Sequence, residues 1–248
     1  MNTAVVIKLS FLKEIYSIVS WIPLRIDFVE PGTQCHRIAN GRHHGFKTST
    51  ATILLDEDSG QEYPFGPVCA QHTVSDRSLL RGVPDFTTRD FTLEEGEGDP
   101  GRGGEGGGLQ GAGASDAEKN RAFAKRYLML RMDRVANIPG IQSGIRYAPL
   151  EKIYAEFLQT RELTDDASRY IIALERSGKT PVIYRSNYLL DVYTAYIQLN
   201  RRIREVKPGS YLDKLISFRD NSLLNRLKLS EAQIRAAKLR LHPQAFKG

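Results

Sequence analysis

The sequence predicts an α+β protein, in which a small β-rich N-terminal module with a zinc knuckle is joined by a glycine-rich linker to a C-terminal helical bundle. Three observations support this fold class. β-Branched segments separated by turn residues occupy the first 93 residues, glycine dominates residues 94–115, and apolar residues recur at helical spacing over residues 116–248. We therefore expect two folded modules and one flexible tether.

The composition is that of a globular protein, with 41% apolar and 26% charged residues. The sequence contains no run of 18 or more apolar residues, and it therefore predicts no membrane-spanning helix. Lys8, Lys13 and Glu14 interrupt the apolar start of the chain, which favours an amphipathic helix over a signal peptide. Two cysteines are too few for a disulfide framework, so the sequence predicts a cytoplasmic protein without a membrane partner.

The N-terminal module, residues 1–93, is predicted to be mixed in secondary structure. Its predicted elements are a helix over residues 3–20, a strand over 22–29, a strand over 48–55, a turn over 56–60 and an extended approach to the second cysteine over 63–68. Pro64 and Pro67 are expected to limit regular strand pairing in the last of these. A cysteine turn, a β-hairpin and then Cys-x-x-His is the order of elements in zinc-ribbon and treble-clef modules.

The C-terminal module is predicted to form five or six helices. Pro149 suits the first turn of a helix, Thr164 suits a helix N-cap, and Ser230 with Gln233 matches a capping box. The predicted helices cover residues 116–135, 149–160, a segment that follows Thr164 and stops near Gly178, 187–206, 211–227 and a last segment that follows Ser230 and ends before Pro243.

Both cysteines and four of the five histidines lie between Cys35 and His72. Thiolate and imidazole are ligands that suit zinc in tetrahedral sites. Cys69-x-x-His72 has good half-site spacing, and Cys35 with His43 or His44 would complete the set. His36 is an awkward co-ligand, because adjacent side chains point apart. The alternatives are a degenerate knuckle held by packing without metal and a set of unrelated surface histidines. For a metal site here we expect a structural role.

The positive charge lies almost wholly in the second half of the chain. Residues 1–115 contain 10 Lys and Arg against 15 Asp and Glu, whereas residues 116–248 contain 25 against 14. Such a basic half favours a polyanionic partner such as nucleic acid, with a solvated helical surface as the alternative. The candidate nucleic-acid-binding residues are Arg37, Asn40, Arg42 and Lys47 in the knuckle and Arg201, Arg202, Arg204, Lys207, Arg235, Lys238 and Arg240 in the bundle.

The sequence predicts no enzyme. Ser177-Gly178-Lys179-Thr180 resembles the end of a phosphate-binding loop, but Ala173 replaces the required glycine and Pro181 prevents the following helix. No nucleophile or paired-carboxylate motif is present. A stand-alone DNA-binding regulator or replication protein, a helical protein-interaction scaffold and, last, a metallohydrolase remain alternative functions.

The stretch from Cys35 to His72 resembles the zinc-finger region of the large subunit of type IV CRISPR effector complexes. That family shows a Cys-x-x-Cys-Gly turn, a hairpin and then Val-Cys-x-x-Cys. Cys35, with Gly41 following, matches the second half of the first turn, and Val68-Cys69-Ala70-Gln71-His72 matches the second knuckle. The chain departs from the pattern at Gly32, where the first cysteine would lie, and at His72, which replaces the last one.

The resemblance implies a non-catalytic subunit of an RNA-guided nucleoprotein complex, with guide RNA, duplex DNA and other protein subunits as partners. Such a subunit recognises a short protospacer-adjacent motif in duplex DNA, while base pairing reads the rest of the target. On this interpretation Asn40, Arg42 and Lys47 would face the DNA. The cluster of Arg201, Arg202, Arg204 and Lys207 would contact phosphates.

Overall fold

The structure, a computed structural model, describes residues 20–38, 41–89 and 115–247. It has the α+β architecture that the sequence predicts, with a three-stranded antiparallel sheet followed by helices. Three of the predictions concern residues outside this description. They are the helix over residues 3–20, of which only Ser20 is described, the candidate Asn40, and residues 94–114 of the linker. Within the described residues, no helix is both long enough and apolar enough to cross a membrane.

The sheet has the order β1-β2-β3, with β1 at Trp21–Phe28, β2 at Thr50–Asp56 and β3 at Glu62–Phe65. The two predicted strands therefore form, and β3 also pairs regularly, with Pro64 opposite Ile53. Proline is tolerated there because β3 is an edge strand.

Short irregular segments cover both edges of this sheet. Along β1, the Ile26 N–H donates to Pro84 O at 2.8 Å, and the Phe86 N–H donates to Ile26 O at 3.0 Å. Along β3, the His36 N–H donates to Pro64 O at 2.8 Å. These bonds satisfy edge groups that would otherwise be free to pair with another chain. They also fix the position of the cysteine turn beside β3.

Six of the seven α-helices in the described residues lie close to their predicted positions, whereas Pro67–Thr73 is helical where the sequence predicts an extended approach to Cys69. The seven helices are α1 Pro67–Thr73, α2 Asp116–Met129, α3 Ala148–Thr160, α4 Asp165–Arg176, α5 Ser186–Glu205, α6 Ser210–Ser217 and α7 Glu231–Ala236. Thr164 caps α4, and Ser230 and Gln233 form the predicted capping box of α7. Helices α2 and α6 continue as π-helical turns over Leu130–Val135 and Phe218–Leu224.

The described residues contain two hydrophobic cores. The smaller core fills the knuckle and contains Cys35, Leu54, Phe65, Ala70 and Val74. The larger core lies among the helices, and it also includes Phe86, with Phe28 of β1 packed against it. One end of the sheet therefore supports the knuckle, while β1 packs on the helices.

Candidate metal centre and basic surfaces

Backbone pairing brings the Cys35 turn and the His44 segment together. The Cys35 N–H donates to His44 O at 2.8 Å, and Gln34 and Gly45 form an antiparallel bridge next to it. Gly32 provides the tight turn before Cys35, with a φ of +84° that favours glycine. The β2–β3 hairpin then leads into α1, which starts at Pro67 and carries Cys69. This is the order of elements predicted for a zinc knuckle.

Three donor side chains converge at this point: Cys35, His44 and Cys69. Their ligand atoms all lie within 4.8 Å of one another, and Cys69 Sγ is 3.5 Å from His44 Nε2. Cys35 is fully buried, and its Sγ accepts a hydrogen bond from the Gly66 N–H at 3.4 Å. The three donors are close enough to hold one metal ion. We refer to them below as the metal triad.

The surroundings of Cys69 disfavour its thiolate form. Burial raises the pKa of the Cys69 thiol and the adjacent Cys35 raises it further, whereas Arg37 lowers it. Two thiolates side by side repel each other, and a divalent cation between them reverses that repulsion. The chemistry of the donor set, two sulfurs and one imidazole, fits zinc.

The structure does not bring all five predicted ligands together. His43 is exposed, and its Nδ1 lies 2.9 Å from Cys35 O instead of joining the triad. His72 is exposed one turn after Cys69 on α1 and is also outside the group. Of the two alternatives at this position, His44 rather than His43 is the histidine of the triad. The reason is that His44 pairs with the cysteine turn through its own backbone carbonyl.

His36 belongs to an aromatic cluster that the sequence did not predict. Its ring centroid is 4.0 Å from that of Tyr63 and 5.6 Å from that of Trp21. Trp21 also contacts Phe65 edge-on, with centroids 5.1 Å apart. Tyr63 and Phe65 stand two residues apart, and so on one face of β3, which is the sequence signal for such packing. The cluster fixes the residue next to Cys35 and so supports the turn.

The basic residues predicted in the knuckle lie at its surface. Arg42 and Lys47 are exposed and Arg37 is half-buried close to Cys69. Two large apolar side chains are exposed nearby in sequence, with Ile38 61% and Val68 63% accessible. The rim of the knuckle therefore combines cations with exposed apolar groups.

The predicted cluster at the end of α5 is partly used inside the molecule. Arg201 donates to Val29 O at 3.1 Å, Arg204 pairs with Glu30, and Arg202 lies 3.5 Å from Glu205. Lys207 is exposed. Two of these four cations thus attach the helix to the segment that follows β1.

The end of the chain presents a second basic surface, which we name the C-terminal basic surface. It consists of the exposed residues Arg226, Lys228, Arg235, Lys238 and Arg240. No carboxylate within the described parts of the chain forms an ion pair with any of these five. Buried residues alternate with them along the backbone, namely Leu227, Leu229, Ala237 and Leu239. Because these apolar neighbours lie in the core, the basic side chains are held outward.

No protein-family model, curated protein or solved structure shows significant similarity to this chain.

Proposed function

We propose that this protein is a non-catalytic nucleic-acid-binding protein whose knuckle is held together by zinc. The observation that carries the proposal is the C-terminal basic surface, which presents five exposed cations that have no carboxylate partner among the described residues. A surface that only needs solubility mixes both signs of charge. Over residues 207–247 there are nine Lys and Arg against three Asp and Glu. Such an imbalance favours a polyanionic partner.

Order in this surface supports specific rather than diffuse binding. The Gln198 side chain of α5 donates to Arg240 O at 2.7 Å and accepts from the Arg240 N–H at 2.7 Å. The backbone that carries Arg240 is therefore fixed to the longest helix. A fixed cation loses less entropy on meeting a phosphate than one on a free tail.

The metal triad supports a structural role for zinc. Zinc bound by Cys35, His44 and Cys69 would tie the turn, the β2 approach and α1 together, in a core too small to be stable by burial alone. Two thiolates neutralise the charge of the ion. Attraction for a polyanion would then come from Arg37, Arg42 and Lys47 around it.

We further propose that the chain works as a subunit of an RNA-guided nucleoprotein complex, recognising a short motif in duplex DNA. The resemblance of residues 35–72 to the large subunit of type IV CRISPR effector complexes supports this, as does the presence of two separate basic regions. The knuckle would face bases and the C-terminal basic surface would contact phosphates. We expect the tagged protein purified from its host to carry a discrete small RNA and further proteins. An RNA-free protein that binds duplex DNA would instead indicate a stand-alone regulator.

The experiment that tests nucleic-acid binding is a salt-dependent titration of labelled duplex DNA, single-stranded DNA and RNA. The variant Lys228→Gln/Arg235→Gln/Lys238→Gln/Arg240→Gln should bind more weakly at every salt concentration. On duplex DNA, the slope of log K plotted against log salt concentration should become shallower by about 0.9 for each phosphate that the variant no longer neutralises. The matched control is Lys152→Gln/Arg169→Gln/Arg176→Gln/Lys179→Gln, which removes four charges from α3, α4 and the loop that follows.

The control variant should keep most of the affinity and slope of the unmodified protein. Equal losses of affinity in both variants would show that only net charge matters, and the assignment of the surface would be wrong. Absence of binding to all three nucleic acids at about 50 mM salt would reject the proposal in favour of a protein-interaction scaffold.

A further inference from the structure

A cleft lies between β1 and the helices α2 and α3. Its volume is about 90 Å³. Much of its wall is apolar and is formed by Ile22, Leu24, Met129, Phe157 and Leu158. The same wall carries five charged side chains: Arg25, Glu62, Lys125, Asp133 and Arg161. Ligand sites share this combination of apolar walls and a few convergent polar groups, usually at larger volumes of about 300–1,000 Å³.

The carboxylates of this cleft already have partners. Glu62 lies 2.5 Å from Arg25, and Asp133 lies 2.5 Å from Arg134. Arg25 and Arg134 also contact the buried Asp27, at 3.0 and 3.2 Å. These groups form a closed network in which each acid meets a guanidinium.

Lys125 lies outside that network, and Arg161 interacts with it only at a distance: against the effect of burial, Arg25 first and then Arg134 and Arg161 lower the pKa of the Glu62 carboxyl. Neither the Lys125 nor the Arg161 side chain forms an ion pair or a hydrogen bond within the described residues. The Lys125 ammonium lies 5.5 Å from the centroid of the Phe157 ring, which is a weaker contact than a carboxylate would provide. Burial lowers the pKa of the Lys125 amine, and the Arg161 guanidinium lowers it further. The two cations thus repel each other in a partly desolvated space.

We propose that this cleft binds a small organic carboxylate, with Lys125 and Arg161 as its cationic partners. An anion between them would relieve their repulsion and supply the missing partner of the amine. The planar Arg161 fork suits both oxygens of a carboxylate, and the apolar wall suits a short hydrocarbon body. This site is independent of the proposed nucleic-acid surfaces.

The charge and the size of the cleft favour a monoanion. Three basic and two acidic side chains line it, so one negative charge neutralises it. A phosphate dianion would exceed that charge beside Glu62 and Asp133. A volume of about 90 Å³ is smaller than the engineered cavity of about 150 Å³ that holds benzene, so the ligand has few carbon atoms.

The test uses butyrate as the probe, with butyramide as its neutral isostere and inorganic phosphate as the competing anion. Butyrate added to the full-length protein should shift amide NMR resonances of residues 125, 157 and 161 in a saturable way, with millimolar affinity. Lys125→Gln and Arg161→Gln should each weaken binding at least tenfold. Lys152→Gln, an exposed change on α3, should leave it unaltered.

Three outcomes would overturn the proposal: no saturable shift with butyrate, equal binding of butyramide, or tighter binding of phosphate than of butyrate. Arg161 caps α3 with a φ of +61°, and Arg161→Gln keeps the same backbone while removing the charge. That variant keeps the proposal testable if Lys125→Gln does not fold.

Discussion

Tyr193 of α5 donates a hydrogen bond to Asp27 of β1 at 2.8 Å, across 166 residues of chain. Asp27 also accepts from the Phe28 N–H and pairs with Arg25 and Arg134. Its carboxylate is almost fully buried, as is the phenol, and burial followed by the Asp27 charge raises the pKa of Tyr193. The sheet and the helices therefore share one buried charge with all its partners satisfied.

We expect Tyr193→Phe to reduce the free energy of unfolding by about 2 kcal/mol. The change keeps the ring but removes a hydrogen bond to a buried carboxylate. Tyr196→Phe is the matched control, because the Tyr196 hydroxyl has no hydrogen-bond partner among the described residues, and it should change stability by less than about 0.5 kcal/mol. Denaturant unfolding of the three proteins measures the difference. Equal stability of both variants would mean that the Asp27–Tyr193 bond contributes nothing.

The zinc content of single-residue variants tests whether His44 or His43 binds the metal. We expect the purified protein to contain about one zinc per chain, and Cys69→Ser or His44→Ala to lower that content sharply. His43→Ala should retain zinc, because His43 lies outside the metal triad. Metal analysis after dialysis gives the result, and loss of zinc in His43→Ala with retention in His44→Ala would reverse the assignment.

The same series identifies the fourth ligand. A structural zinc site closes with four protein ligands, whereas a catalytic one keeps water in the fourth position. If His72 rotates into the site, His72→Ala will weaken zinc binding although it leaves the triad intact. Unchanged zinc affinity in His72→Ala would point to an open position, and would favour the metallohydrolase alternative over a structural knuckle.

Asp191 of α5 should make the protein less stable as the pH rises, which is the opposite of the usual effect of a carboxylate. Burial raises the pKa of Asp191 to about 6, against the opposing effects of the Phe246 N–H, Arg89 and His242. The folded protein therefore binds this proton more tightly than the unfolded chain does. Its contribution to stability is complete below about pH 4 and is lost as the pH rises through about 6.

We expect Asp191→Asn to gain stability relative to the unmodified protein as the pH rises from 4 to 7. The relative gain should approach about 3 kcal/mol, since each pKa unit corresponds to about 1.4 kcal/mol. Urea unfolding at several pH values checks this, with His242→Gln present in both proteins to remove the neighbouring titration. A stability difference that does not depend on pH would show that Asp191 titrates normally.

Local features of this fold could be predicted from the sequence. Thr164, Ser230 and Pro149 mark helix starts through bonds and dihedral limits that involve only their near neighbours. The strand of β2 follows from β-branched residues next to a turn in the same way.

Long-range polar contacts could not be predicted. Arg126 resembles any solvated helix residue in the sequence, yet it is almost completely buried and donates to Asp85 O at 2.7 Å. Arg201 and Arg204 were expected to contact phosphates, and in the structure they contact Val29 O and Glu30. Nothing local distinguishes an arginine that will bind a carbonyl 172 residues away from one that stays in water. For the same reason, spacing left His43 and His44 as alternatives, and only the backbone pairing with Cys35 separates them.

Gly144 lies in the short 3-10 turn Ser143–Ile145, where any side chain would meet Tyr184. A Cβ at this position would lie 2.5 Å from the Tyr184 hydroxyl. The buried Arg131 guanidinium lies 4.9 Å from the centroid of the Tyr184 ring, so the ring cannot move away in that direction. We expect Gly144→Ala to cost about 1–3 kcal/mol of unfolding free energy through this overlap.

A second substitution distinguishes overlap with the Tyr184 hydroxyl from backbone strain in the turn. Tyr184→Phe removes the oxygen and leaves the next atom of the ring 3.6 Å from the added Cβ, so the double variant should recover most of the stability. Gly178→Ala is the matched control, since a Cβ there meets nothing within 4 Å and should change stability little. A double-mutant cycle by denaturant unfolding measures the coupling. Additive effects of Gly144→Ala and Tyr184→Phe would show that backbone strain in the turn, and not contact with Tyr184, requires the glycine.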